Sequence, residues 1–193
     1  MYTANQMDLK KLLYSKIDQL GVDYIKTKIK GNIQNSEYII KRLLEECASS
    51  SELRNLTNSD YLELAEGILH YLLTITITPS QRKININNIE VSILVPGARD
   101  LRINTDKVII IQFLKADKIE YDQTIRELLK IQPTLNNIWL VSYYPMVTMV
   151  PLKNFVIDGE SIKNKDIVQP FSKVLIEIND FLDRTNYTGF RII

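Results

Sequence analysis

The chain has one cysteine, Cys47, and one histidine, His70, in 193 residues. A lone cysteine excludes an internal disulfide framework. A lone histidine excludes any mechanism that needs a histidine pair, and the two scarcities together remove most zinc sites. Neither sign of charge prevails: 24 Lys and Arg face 23 Asp and Glu, for a net charge of +1. That argues against nucleic-acid binding driven by bulk charge, while leaving room for a local basic patch. No apolar run reaches the roughly 18 residues of a membrane helix. The longest, Val108 to Leu114, is strand-sized and interrupted by Gln112. The first residues lack the apolar core of a secretory signal, so the expected location is the cytoplasm, away from membranes. There is no Walker loop, no GxGxxG and no nucleophile elbow, and Ser92 has no evident triad partners. Internal repeats and low-complexity linkers are also missing.

What is present is 45% hydrophobic and 24% charged, an ordinary globular balance. The first third has helical periodicity. Leu9, Leu12, Leu13, Ile17 and Leu20 recur at helical spacing, with Gly21 as the stop. Tyr24, Ile25 and Ile29 suggest a short second helix ending at Gly31. Ser36 is placed to cap a third, with Ile39, Ile40, Leu43, Leu44 and Cys47 inward. Ser59 or Asp60 is placed to cap a fourth, burying Leu62, Ala65, Leu69, Leu72 and Leu73.

The period then becomes two. Thr74 to Thr78, Ile84 to Ile86 and Ile89 to Val95 alternate as strands do, and Pro96-Gly97 marks a turn. Val108 to Leu114 is apolar on both faces, which predicts a central strand. Asp117 and Glu120 fit a capping box for a helix burying Ile125, Leu128 and Leu129, and Ile138 to Tyr144 predicts another strand. A helix between two strands makes them parallel, whereas Ile89 to Val95 is joined by a shorter loop and can pair antiparallel. The sheet is therefore expected to be mixed. Met146 to Val150 and Phe155 to Ile157 suggest edge strands, and a last helix after Pro170 carries Phe171, Val174, Leu175, Ile178, Phe181 and Leu182 on one face. The tail Gly189 to Ile193 is apolar, which predicts docking on the core ahead of contact with a partner. A boundary near Ser49 to Thr57 divides a helical segment, 1–56, from an α/β core, 57–193, within what can be a single domain.

Three groups of residues can carry chemistry. Glu63, Glu66 and His70 share one helix stripe; a divalent cation or acid–base work would use such a stripe, and a solvated face is the plainer reading. Arg99, Arg102 and nearby Lys107 follow the Pro96-Gly97 turn and could meet phosphate, against the plainer reading of a solvated hairpin loop. Glu90 with Ser92, and Gln112 with Leu114, share strand faces, and Lys115 follows at once. Tyr143-Tyr144-Pro145 ends its strand where rings could stack on bases, although core and rim packing is the commoner use.

The order of elements from about Asp60 to Tyr144, with Glu90, Ser92, Gln112 and Lys115 on it, resembles the PD-(D/E)XK nuclease superfamily. The resemblance implies a restriction-endonuclease-like fold, with metal held by an acid on one strand and an acid-x-Lys pair on the next. Ser92 stands where an aspartate is ordinarily found, and Glu90 is the substitute on the same face. Gln112 stands for the second acid. Lys115 comes one residue late, and a regular strand would turn it away from Gln112 unless a bulge intervened. Glu63 or Glu66 would supply the helix acid. An active form would then hold Mg²⁺ on Glu63 or Glu66, Glu90 and Gln112, with Lys115 positioning water.

The missing carboxylates point instead to a non-catalytic or weakly active protein without a cofactor. It would bind DNA or RNA, or assemble with a nucleic-acid-processing complex. The alternative is a protein–protein interaction module, a homo- or hetero-oligomer built on the helical segment and the apolar tail.

Overall fold

The computed structural model describes residues 4–50, 56–115, 118–146, 148, 150–158 and 167–189. Four helices come first: α1 (Ala4–Leu20), α2 (Val22–Gly31), α3 (Asn35–Ala48) and α4 (Asn58–Ile75). Most of the stripes the spacing predicts are buried (Leu9, Leu12, Leu13, Ile17, Ile25, Ile29, Ile39, Ile40, Leu43 and Cys47), while Leu20 and Leu44 are only partly buried and Tyr24 is exposed. Gly21 separates α1 from α2 at φ 91°, a conformation that costs any residue with a Cβ.

Two expectations for the helices change. Ser36 lies inside the first turn of α3, where its buried hydroxyl has no hydrogen-bond partner, so it is not the cap. On α4 the cap is Thr57: its Oγ1 accepts from the Asp60 amide at 3.3 Å, while Asp60 Oδ2 accepts from the Thr57 amide at 2.8 Å. Asp60 is thus the reciprocal partner in a capping box and not the cap itself.

The alternating run Thr74 to Thr78 is not a strand. It is the last turn of α4 and the tight turn that follows. The Thr74 hydroxyl donates to the His70 carbonyl at 2.8 Å and the Thr76 hydroxyl to the Leu72 carbonyl at 2.8 Å. Thr78 N then bonds Leu73 O at 2.9 Å, with Ile77 at φ 54°. Threonine side chains bonding back to the preceding turn satisfy the helix-end carbonyls, and this outweighs the β preference of the run.

The strands are β1 (Gln81–Ile86), β2 (Ile89–Val95), β3 (Ile109–Phe113), β4 (Ile138–Ser142), β5 (Lys153–Val156) and β6 (Val168–Pro170), hydrogen-bonded in that order in one six-stranded sheet. The β1–β2 and β2–β3 pairs are antiparallel, and the pairs from β3 to β6 are parallel. The fold is therefore α/β with a mixed sheet, as the apolar runs and the helical crossover require. The stretch after Pro96 is not a plain loop: it contains the short helix α5 (Ala98–Ile103) and a 3-10 turn at Thr105–Lys107. Helix α6 (Lys118–Ile131) joins β3 to β4, and α7 (Val174–Arg184) closes the chain. The proposed cap at Asp117 lies outside the described residues, as does the tail beyond Gly189. Met146, Thr148 and Val150 belong to no strand. Strand β6 was not anticipated: three residues are too few to show alternation, and its Pro170 suits an edge position.

Apolar side chains from α1 to α4, from one face of the sheet (Ile93, Val95, Ile109, Ile111, Phe113, Trp139, Val141, Phe155) and from α7 form one core cluster. Leu94, Ile110, Leu140 and Leu114 on the other face pack with Ile125 and Leu128 of α6 in a second. No helix among the described residues is long and apolar enough to cross a membrane.

Candidate functional site

Strands β2 and β3 pair regularly at one end and part at the other. Ile93, Leu94 and Val95 face Ile111, Ile110 and Ile109. The next pair in that register, Ser92 and Gln112, is joined through side chains. The Ser92 amide donates to Gln112 Oε1 at 3.1 Å, and the Phe113 amide donates to Ser92 Oγ at 3.2 Å. Strand β1 breaks step at the same level: its ladder to β2 skips Lys83, which sits at φ 49°. Val91 and Leu94, three positions apart, pack into the same core cluster. Regular alternation would send them to opposite faces, so the strand twists out of phase here. Backbone strain of this kind clusters at functional sites.

The parted strands open a cleft of about 340 Å³, lined by Glu66 of α4, Lys83 of β1, Glu90 and Ser92 of β2, Gln112, and Lys115 among others. Glu66 is 2% exposed, a carboxylate within an otherwise apolar helix stripe, and two cations neutralise it. Arg82 Nε lies 3.0 Å from Oε1, and Lys115 Nζ lies 3.3 Å from Oε2. Lys115 reaches it because it continues the alternation of Ile109, Ile111 and Phe113, whose side chains face α4, while Leu114 turns to the opposite face with Ile110. Both cations keep partial access to water, at 27% and 35% exposure. This arrangement meets the cost of burying a charge by pairing it.

The sequence candidates thus divide. Glu66, Glu90, Gln112 and Lys115 meet in the cleft. Glu63 and His70 instead line a small cavity of about 60 Å³ beside α1, together with Lys10 and Arg82. There, burial and then the nearby Arg82 guanidinium hold His70 below its ordinary pKa, with Glu66 acting weakly the other way. Arg99, Arg102 and Lys107 are exposed on α5 and the 3-10 turn, at the closed end of the β2–β3 pair. At ~3.3 Å per residue along a strand, that end of the pair lies ~10 Å from Ser92. Lys26, Lys28 and Lys30 are exposed on α2.

Sequence reasoning passed over Arg82, which pairs with Glu66, and four residues that line the cleft. Arg82 and Lys83 are adjacent cations on an alternating strand, a signal that does not say which carboxylate they meet. Tyr121, Thr124 and Glu127 of α6 also line the cleft. Their spacing of three is legible as a polar stripe beside Ile125 and Leu128.

The nuclease resemblance implies a divalent metal, and the donor set does not fit one. Among the described residues, no three His, Cys, Asp or Glu side chains converge as a metal site. Both Glu66 oxygens face cations, and the Gln112 oxygen is engaged by the Ser92 amide.

The element order and the flanking helices match a restriction-endonuclease-like fold. The chain matches the structure of the restriction endonuclease PspGI in complex with substrate DNA at a TM-score of 0.63 and 15% identity, over 91% of this chain and 93% of that one. It matches metal-depleted Ecl18kI in complex with uncleaved, modified DNA at a TM-score of 0.58 and 15% identity, over 94% of this chain and 81% of that one. No protein-family model matches the sequence, and no curated protein matches it. At such identities the likeness is one of fold.

Proposed function

We propose that the chain is a non-catalytic or weakly active nuclease-like protein that binds nucleic acid at the cleft between α4, β2, β3 and α6. The observation that carries the reading is the state of Glu66. A fold whose solved relatives PspGI and Ecl18kI are complexed with DNA has in this chain a cleft whose buried carboxylate is paired with Arg82 and Lys115. A carboxylate so paired is a poor metal ligand, because a cation would have to displace both partners. The cleft still offers the Lys115 ammonium, with two further N–H donors beyond the one facing Glu66, to a phosphate.

The test is titration of the protein with labelled single- and double-stranded DNA and RNA, with and without Mg²⁺ or Mn²⁺, scoring retardation and cleavage separately. Salt-sensitive retardation without cleavage is expected. Cleavage abolished by Glu90→Ala with Gln112→Ala would make the protein a metal-dependent nuclease and end the non-catalytic reading. Neither retardation nor cleavage, with a stable oligomer in solution, would favour the interaction module.

A further inference from the structure

Beside the charged cleft lies a second hollow of about 360 Å³, reached across Leu114, Lys115 and Tyr121, which line both. Its floor is apolar (Leu62, Leu114, Met146), its rim polar (Asn58, Ser59, Lys115), and Tyr143, Tyr144 and Pro145 form one wall. That mix of apolar lining and a few polar groups is typical of small-ligand sites.

The tyrosine wall is held from beneath by buried polar side chains. Ser142, at the end of β4, donates its hydroxyl to the Tyr144 carbonyl at 2.7 Å. Asn154 of β5 donates to Ser142 Oγ at 2.9 Å and accepts from the Met146 amide at 3.1 Å. The Asp158 amide bonds the Tyr143 carbonyl at 3.0 Å. Ser142 and Asn154 are 3% and 2% exposed. Polar groups buried this deeply are tolerated only when bonded, and several of their bonds go to this loop. The result is a fixed loop on the ends of parallel strands, a common way to present binding residues.

What the loop presents is a ring. Tyr144 is 53% exposed. Its contact with Tyr143 is edge-to-face, with centroids 4.7 Å apart at 87°. In that geometry Tyr143 covers at most one face of Tyr144, and about half of the residue's surface is exposed. Tyr143 is braced in turn by Tyr61 of α4, 5.1 Å between centroids.

From the shared wall of the two hollows, we infer that this loop is a stacking subsite for an unpaired nucleobase, so that the substrate class is single-stranded nucleic acid with a phosphate at Lys115. The inference rests on the nucleic-acid reading above and specifies its ligand. A base in an intact duplex has both faces covered by its neighbours, whereas a base in a single strand can offer a face to Tyr144. The near-neutral chain also fits this class, because stacking supplies affinity without a broad basic surface.

The test measures fluorescence anisotropy of labelled oligothymidylate, oligouridylate and a blunt DNA duplex of equal length, using the full chain and its Tyr144→Ala and Tyr144→Phe variants. The single strands are expected to bind more tightly than the duplex. Tyr144→Ala should weaken single-strand binding by roughly 5- to 150-fold, the cost of one lost base stack. Tyr144→Phe should retain it, and unchanged thermal melting should show that both variants are folded. Because the cleft's lining cations are Lys83 and Lys115, log affinity should fall with log salt at a slope no steeper than about −1.4. Whether thymidylate, uridylate or both show the Tyr144 dependence identifies DNA, RNA or either as the source of the base, and each supports the subsite. Single-strand affinity unmoved by Tyr144→Ala, or retention of the duplex alone, would overturn the subsite and leave nucleic-acid binding standing. No retention of any strand would overturn both.

Discussion

The two ends of the β2–β3 pair are built from the same two strands and differ in what joins them. At the closed end, main-chain pairing runs from Ile93↔Ile111 to Val95↔Ile109, and every side chain in it is buried and apolar. At the open end, Ser92 and Gln112 replace the ladder with side-chain bonds, and Lys83, Glu66 and Lys115 gather around the gap. The closed end is where apolar burial stabilises the sheet. The open end gives up ladder pairing, ties its amides to side chains and gathers charged groups around the cleft. The apolar, ladder-paired end and the charged cleft are thus separated by only one or two residues along a strand.

Substitutions can break or sharpen that contrast. The largest effect belongs to the closed end: Ile111→Ala removes a fully buried side chain from the main core and should cost about 2–5 kcal/mol in denaturant unfolding. A loss under 1 kcal/mol would mean that the closed end does not stabilise the sheet.

At the open end, Glu66→Leu leaves Arg82 and Lys115 without their carboxylate. Both cations retain access to water, so the cost should stay near 1–3 kcal/mol, below that of breaking a fully buried pair. Affinity for a single-stranded oligonucleotide should rise, since two cations are released. A fall in affinity would remove the argument that Glu66 restrains them.

Gln112→Ala deprives the Ser92 amide of its acceptor and should cost about 1 kcal/mol. Amide hydrogen exchange should quicken at Ser92 and stay slow at Ile111. Equal quickening at both would show that the two ends are a single unit.

The smallest effect concerns pH. His70 has a folded-state pKa below its ordinary ~6.5, set first by burial and then by Arg82. The unfolded chain therefore binds the proton more readily. The contribution to stability is present above ~pH 6.5 and is lost as pH falls through and below that value. His70→Gln should flatten this part of the profile in thermal unfolding, and an unchanged profile would assign it to other groups.

Much of the architecture was legible because period and burial are local signals. The helical stripes from Leu9 to Cys47, the doubly buried run at Val108 to Leu114 and the strand–helix–strand crossover predict a mixed α/β sheet, and the resemblance to the nuclease fold followed from that order. The misreadings have local causes too. Thr74 to Thr78 alternates like a strand, but its hydroxyls close the end of a helix. Thr57 caps α4 because Asp60 lies three residues on, a pairing that competes with Ser59 and Asp60 as caps in their own right. Three-residue β6 carries too little pattern to be read.

The residues of the candidate site were partly named in advance and their relations were not. Glu66 reads as one acid of a polar stripe, and nothing local distinguishes it from Glu63. In the fold, the first is buried between Arg82 and Lys115 and the second lines another cavity.

The sequence by itself determined the α/β class, the central strand and the scarcity of carboxylates along it, because these follow from side-chain chemistry repeated at fixed spacing. The tertiary structure alone decided which cations meet Glu66, where β2 and β3 part and which ring stands open beside Lys115. Those depend on strand register and twist, which bring together residues far apart in the chain and are set by the packing of the whole core.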